Sequence, residues 1–202
     1  DPEDYWNEFQ SDKPDVLLHN FEDDMDNSRW ETSVGPKSTV SYEIVPSEAN
    51  NGGRNALSIN FHMNDWCDVI YNYKNNNSPD EHRNWSEHWG LKFEMYSEKP
   101  FQGISVQIND GSGEVWLASA GCLKGWHEVL VPFKAFYKFP YWQPPEAIQN
   151  GKLDLDGVQT IDFKASGEGT KGTFKIDNVR LTNEREAKTA PVKEFENITV
   201  TA

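Results

Sequence analysis

The chain has 202 residues, of which 26 % are charged and 36 % are hydrophobic, and its formal net charge is −14. This length fits one domain of generous size with extensions, and the composition is typical of a soluble globular protein. The negative charge argues against nucleic acid or an anionic membrane as a partner, because phosphate contacts need clustered Lys and Arg. No apolar run reaches the roughly 20 residues that span a bilayer.

The two ends of the chain lack the regular patterning of its middle. Residues 1–15 are polar and acidic, which predicts an N-terminal extension or linker, although Tyr5, Trp6 and Phe9 could dock on the domain. Residues 183–202 contain Thr, Ala, Pro and Glu in the proportions of a linker. The folded domain is therefore expected over residues 16–182. The N-terminus has no signal-peptide core, so we expect a mature or excised piece of a longer chain.

Between these ends, apolar and polar residues alternate with a period of two, as in half-buried strands. The alternating apolar sets are Leu57/Ile59/Phe61, Val69/Tyr71/Tyr73, Leu91/Phe93/Met95 and Ile104/Val106/Ile108, and further strands are predicted over 126–133, 160–164 and 173–181, the last broken at Asp177. Gly- and Asn-rich turns separate them, and no long stretch keeps a helical period. The pattern predicts an all-β fold, a two-sheet antiparallel β-sandwich of jelly-roll type.

Aromatic and cysteine residues add two expectations. Eight Trp, seven Tyr and 11 Phe are more rings than a sandwich of this size easily hides, so a few should lie on a face. Cys67 and Cys122 either form one disulfide or are two small buried hydrophobes, and the sequence leaves both alternatives open.

The alternation also predicts which residues face outward. If Ile104, Val106 and Ile108 point into the core, the side chains between them point away from it. An exposed ring beside hydrogen-bonding side chains can stack on a sugar and bind its hydroxyls, whereas the alternative is an ordinary solvated face. Phe139 and Tyr141 share a parity with Tyr137, which indicates either a wall beside Trp142 or a core-facing edge. The candidate ligand-binding residues are Trp66, Asp68, Ser105, Gln107, Phe139, Tyr141, Trp142, Gln159 and Thr160.

Four motifs in residues 126–181, WHEVLVPFKAF, YWQPP, GKLDLDGVQTIDF and GTFKIDNVRL, resemble carbohydrate-binding module family 11. Shorter matches upstream, HNFEDDMDNSRW, DWCDVIY and NWSEHWGLKFEMYS, extend the resemblance over roughly residues 17–182. The resemblance implies a non-catalytic jelly roll that binds single β-glucan chains in a concave cleft. The ligands implied are mixed-linkage β-1,3-1,4-glucan, β-1,4-glucan and cello-oligosaccharides. It also implies attachment to a secreted bacterial glycoside hydrolase such as a cellulase.

The resemblance also assigns roles to individual residues. Two platform tyrosines of the family fall on Trp66 and Trp142, which keep the stacking surface, and two others fall on Ser33 and Ala165, which do not. The cleft is therefore expected to be more aromatic and less charged than in the family. Positions that are charged in the family hold uncharged residues here: Ser112, Val115, Phe139, Tyr141 and Gln159.

The resemblance further implies a structural Ca²⁺ ion, held by Glu22, Asp177 and backbone oxygens of the turn at Asn51. Carboxylate and carbonyl oxygens in loops are the ligands that calcium prefers. The alternative is that Asp177-Asn178 is only a β-bulge in the last strand.

Two other classes of protein remain as alternatives. A jelly-roll glycanase needs two carboxylates across the scissile bond; the sequence lacks a Glu-x-Asp-x-x-Glu strand, but Asp68 and Glu94 could share the outward face. A protein-interaction domain would instead use the exposed rings as an apolar patch. The expected partner is β-glucan, with no nucleic acid and no membrane, and the expected state is a monomer.

Overall fold

A computed structural model describes residues 2–49, 53–100, 103–167 and 169–187. The strands in this part of the chain are β1 (Val16–His19), β2 (Glu31–Val34), β3 (Thr39–Pro46), β4 (Asn55–His62), β5 (Cys67–Asn72), β6 (Gly90–Ser97), β7 (Ile104–Asn109), β8 (Val115–Ser119), β9 (Gly125–Pro132), β10 (Tyr137–Lys138), β11 (Thr160–Ala165) and β12 (Lys171–Thr182). The helices are α1 (Pro2–Glu8), α2 (Asp24–Asn27), α3 (Asp80–Arg83) and a 3-10 turn (Phe133–Ala135). None of these helices is long and apolar enough to cross a membrane.

The strands form two antiparallel sheets of six strands each. The first sheet has the order β3-β4-β12-β6-β9, with β1 paired to β12, and the second has the order β10-β8-β7-β11-β5-β2. The prediction of an all-β, two-sheet antiparallel jelly roll is therefore confirmed. β12 is interrupted by a register shift between Asp177 and Arg180, where Asn178 has a φ of 52°, so the predicted break at Asp177 is a β-bulge.

The core lies between the two sheets and contains the apolar sets of the alternating strands. Ile104, Val106 and Ile108 are buried in it, and so are Leu57, Ile59 and the other members of the predicted sets. The polar residues between them therefore face the two outer surfaces, because successive side chains of a strand point to opposite faces.

The N-terminal segment, predicted as an extension, packs partly on the domain. Trp6 of α1 is buried, with its ring centroid 6.0 Å from that of Trp89 and 6.1 Å from that of Phe133. From the other end of the chain, the guanidinium of Arg185 lies 4.0 Å from the Trp89 ring centroid. Of the predicted tail, residues 188–202 lie outside the described residues.

Cys67 and Cys122 are free thiols and are buried. Their Sγ–H groups donate to the carbonyl oxygens of Thr39 and Lys99, at 3.3 Å and 3.4 Å. Of the two alternatives, the pair of small buried hydrophobes is the one observed.

Candidate ligand-binding face

The outer face of the second sheet carries a cluster of polar side chains, which we call the polar floor. Its members are Asp68 of β5, Ser105 and Gln107 of β7, and Asp162 and Lys164 of β11. The strand register brings them together, because Lys164 pairs with both Asp68 and Ser105, and Asp162 pairs with Gln107. Three of the nine predicted binding residues, Asp68, Ser105 and Gln107, thus belong to the polar floor.

Hydrogen bonds and one ion pair connect the side chains of the polar floor. Lys164 Nζ donates to Gln107 Oε1 at 2.9 Å and lies 3.6 Å from Asp68 Oδ1. Gln107 Nε2 donates to Asp162 Oδ2 at 3.0 Å. Asp162 is 4 % exposed, and its Oδ1 has no hydrogen-bond partner among the described residues. Lys164 therefore forms an ion pair with Asp68, and Gln107 links the lysine to Asp162.

Burial raises the pKa of both carboxyl groups in the polar floor. The pKa of Asp68 is raised by desolvation, against the attraction of Lys164. The pKa of Asp162 is raised well above its usual value, first by desolvation and then by the charge of Asp68. A carboxyl that loses its hydration without a full set of donors is shifted toward its neutral form.

The orientation predicted for Ser105 and Gln107 is confirmed, but their accessibility is lower than expected. Both side chains face away from the core, yet both are buried. Lys164 extends along this face to Gln107, and its Nζ lies 5.5 Å from the ring centroid of Phe139. The chain's own lysine therefore occupies the centre of the face.

Thr160 lies on the same face and Gln159 lies at its end. Thr160 donates its hydroxyl to Asn109 Oδ1 at 3.1 Å and accepts the Asn109 amide at 3.2 Å. Gln159 precedes β11, and its Nε2 lies 3.8 Å from the position that a Cβ would take on Gly113, in the turn between β7 and β8. Gln159 is thus set apart from the polar floor.

Trp66 forms one side of the face. It directly precedes β5, next to the edge strand β2, and it is 39 % exposed. Its Nε1 donates to Ser33 Oγ at 3.1 Å. Ser33, which was expected only as a lost contact, therefore holds the indole.

The opposite side is formed by Phe139, Tyr141 and Trp142, which we call the aromatic strap. Tyr141 is 87 % exposed, Trp142 is 58 % exposed, and Phe139 is half-buried with its ring edge-on to Tyr141 at 5.6 Å between centroids. These rings therefore do not form a core-facing edge, and the wall stays a prediction. The strap follows β10, and Trp66 precedes β5. The distance between β10 and β5 is four strand spacings, or roughly 19 Å.

Two side chains, Gln143 and Glu114, hold the aromatic strap. Gln143 accepts the amide of Val115 at 2.8 Å and donates to the carbonyls of Val115 and Phe139 at 3.1 Å and 3.0 Å. Glu114 is fully buried, lies 3.0 Å from Lys138 Nζ, and accepts the amides of residues 150 and 151. Gln143 therefore fastens the strap to β8, and Glu114 holds the segments before and after the strap.

The predicted calcium ligands lie around one hairpin. Asp177 is buried and accepts the hydroxyl of Ser47 at 2.7 Å, while Glu22 Oε1 accepts the amides of Arg54 and Asn55 at 2.6 Å and 2.8 Å. Both carboxylates thus contact residues next to the adjoining ends of β3 and β4. Asn51 lies outside the described residues. Within the described ranges, no group of three or more His, Cys, Asp or Glu side chains is arranged to hold a metal ion.

The pair of carboxylates suggested for a glycanase does not exist. Asp68 lies on β5 of the second sheet, whereas Glu94 lies on β6 of the first sheet and contacts Arg180 at 3.2 Å. The outer faces of the two sheets point in opposite directions, so these two acids cannot flank one glycosidic bond, and the suggestion that they share a face is wrong.

A β-sandwich with exposed rings on both sides of a polar floor has the chemistry expected of a carbohydrate-binding domain. The model of the family "Carbohydrate binding domain (family 11)" matches residues 12–184. The chain therefore belongs to this family, which confirms the family predicted from the sequence and its interpretation as a binding module.

Solved structures and one characterised protein are similar to the chain. A family 11 module from Clostridium thermocellum, in complex with a β-1,3-1,4-mixed-linked tetrasaccharide, is 25 % identical with a TM-score of 0.68, over 84 % of this chain and 95 % of that one. The family 11 module of the cellulosomal cellulase Lic26A-Cel5E of the same organism is 23 % identical with a TM-score of 0.70, over 87 % and 98 %. Endoglucanase H of Acetivibrio thermocellus is 27 % identical over 171 residues, which are 81 % of this chain and 18 % of that protein.

Proposed function

We propose that the domain binds single β-glucan chains, mixed-linkage β-1,3-1,4-glucan or β-1,4-glucan, across the outer face of the second sheet. The observation that supports this most directly is the placement of exposed rings on both sides of a polar floor. The flat C–H faces of a glucose ring pack on indole and phenol rings. Each hydrogen bond to a hydroxyl contributes only about 0.5–1.5 kcal/mol, so affinity should be modest and should need several sugar units.

The role that follows is targeting of an attached enzyme to plant cell-wall polysaccharide. Its support is the similarity to modules of cellulases, in which the related segment is a small part of a larger protein. We place such a protein outside the cell, with this domain acting as a monomer. The whole protein would supply the catalytic carboxylates that are not paired on this face.

Affinity gels test the binding function. Retention by barley mixed-linkage glucan is expected to exceed retention by xylan, and both Trp66→Ala and Trp142→Ala should lower it while the melting temperature changes little. A reducing-sugar assay on the same glucan should show no turnover. Unchanged retention in both variants would place the ligand elsewhere, and measurable turnover would make the domain an enzyme.

The same gels separate the sugar-binding function from a protein-interaction domain. Tyr141 and Trp142 are exposed enough to form an apolar patch, which would cause association without sugar. For a glucan-binding face, soluble cello-oligosaccharide should reduce retention. Self-association that is unchanged by cello-oligosaccharide would instead support a protein-interaction domain.

The proposal includes a structural calcium ion at the base of the β3–β4 hairpin, held by Glu22, Asp177 and oxygens of the turn at Asn51. Its support is that two carboxylates from distant parts of the chain contact the same hairpin. Calcium at about 100 times its dissociation constant should raise the melting temperature by roughly 5–10 °C. Asp177→Asn should abolish this rise, while Asp24→Asn, an exposed acid nearby, should keep it. No rise in the parent protein would remove calcium from the proposal.

A further inference from the structure

The ring of Trp66 lies against the backbone of a neighbouring turn. A Cβ atom built on Gly35 would lie 2.5 Å from Cε3 and 2.8 Å from Cδ2 of Trp66, and 2.7 Å from the Cβ of Asp65. Real Cβ atoms do not approach other atoms this closely. Gly35 does not have the positive φ that favours glycine. Glycine is therefore needed here because the indole of Trp66 occupies the space of a Cβ atom, and not because of the backbone conformation.

Hydrogen bonds fix both the ring and the backbone of Trp66. The indole N–H donates to Ser33 Oγ at 3.1 Å, and the amide of Gly35 donates to the carbonyl oxygen of Trp66 at 2.9 Å. Ser38 Oγ accepts the amides of residues 64 and 65 at 2.9 Å and 3.0 Å. We call Ser33, Gly35 and Ser38 the Trp66 seat. One side of the indole is covered by this seat, and the ring remains 39 % exposed.

We infer that Gly35 and Ser33 are positioning residues for ligand binding, because they hold Trp66 as a stacking platform with one open side. Ordering a free side chain when a ligand binds costs affinity, and a ring that is already fixed avoids that cost. The inference rests on the proposed function and deepens it: the ligand stacks on Trp66 from one side only, and the seat sets the plane in which it does so.

The test is a double-mutant cycle with barley mixed-linkage glucan as the probe. Gly35→Ala and Ser33→Ala should each weaken binding by about fivefold in the parent protein. Neither should weaken it further in the Trp66→Ala background, because the ring that they position is absent. Ser28→Ala, which removes a hydroxyl bonded to the carbonyl of Met25, is the matched control and should leave affinity unchanged. Parent-like affinity in both seat variants would overturn the inference.

A second readout keeps the test independent of the ligand. In the fluorine NMR spectrum of protein labelled with 5-fluorotryptophan, the resonance of Trp66 is identified as the one that disappears in Trp66→Phe. The Trp66 resonance should shift and broaden in Gly35→Ala, and it should shift in Ser33→Ala. Ser33→Ala provides the test if Gly35→Ala does not fold. An unchanged Trp66 signal in the folded variants would overturn the inference. If the parent protein bound no glucan while the signal moved, the proposed function would fail and the seat would stand as a structural feature.

Discussion

Replacing Glu114 with alanine should lower the free energy of unfolding by roughly 2–4 kcal/mol and should weaken glucan binding at the same time. The Glu114 side chain is fully buried, while that of Lys138 is 34 % exposed. Without the carboxylate, the ammonium group of Lys138 and the backbone amides of residues 150 and 151 lose the partner that they now bind. Since Lys138 can still reach water, the loss should fall below the full cost of a broken buried pair. Thermal or urea unfolding measures this loss.

Controls separate the role of Glu114 from a general loss of charge. Glu114→Gln keeps an acceptor for the two amides and should cost only about 1 kcal/mol. Glu87→Ala removes an ion pair with Lys13 in which both side chains are about half exposed, and it should cost less than about 1 kcal/mol. An equal loss in Glu87→Ala and Glu114→Ala would contradict the importance of burial.

The binding part of this prediction depends on the aromatic strap. Glu114 and Gln143 fasten the segment that carries Tyr141 and Trp142, so either Glu114→Ala or Gln143→Ala should displace both rings. If this is the mechanism, Gln143→Ala should weaken binding much less in a Trp142→Ala background than in the parent protein. Equal effects in both backgrounds would mean that Gln143 acts on binding through some other part of the fold.

Much of the fold could be predicted from the sequence because half-buried strands leave a clear period of two. The sets at Leu57, Val69, Leu91 and Ile104 each lie on a strand and point into the core. β10 could not be found in this way, since two residues define no period. The docking of α1 depends on Trp6 meeting Trp89 and Phe133, which are distant in the chain.

The candidate site was predictable only in part. Gln107 lies on the outward face that its parity predicted, and Asp162 and Lys164 share the parity of Thr160, so the same pattern could have included them. Glu114 and Gly35 gave no such signal. Their roles come from contacts between segments that are up to 37 residues apart, and no local pattern encodes which loop a buried carboxylate or a missing side chain will meet.

Asp162→Asn should stabilise the protein at pH 8, by on the order of 1–2 kcal/mol. Burial raises the pKa of Asp162 well above its usual value, and the charge of Asp68 adds to this effect. The folded protein therefore binds the Asp162 proton more tightly than the unfolded chain does. Stability linked to this group is fully present below the unfolded pKa near about 4 and is lost as the pH rises through the folded pKa.

The asparagine variant removes this pH-dependent loss without changing the shape of the side chain. Its amide oxygen can still accept the hydrogen bond from Gln107, and the ion pair between Lys164 and Asp68 is kept. The difference in melting temperature between Asp162→Asn and the parent protein should therefore grow from pH 4 to pH 8, at roughly 2–4 °C per kcal/mol. Asp156→Asn, an exposed acid, should stay within about 0.5 kcal/mol of the parent at both pH values. A variant less stable than the parent at pH 8 would show that the field of Lys164 and the hydrogen bond from Gln107 hold the ionised carboxylate of Asp162 favourably.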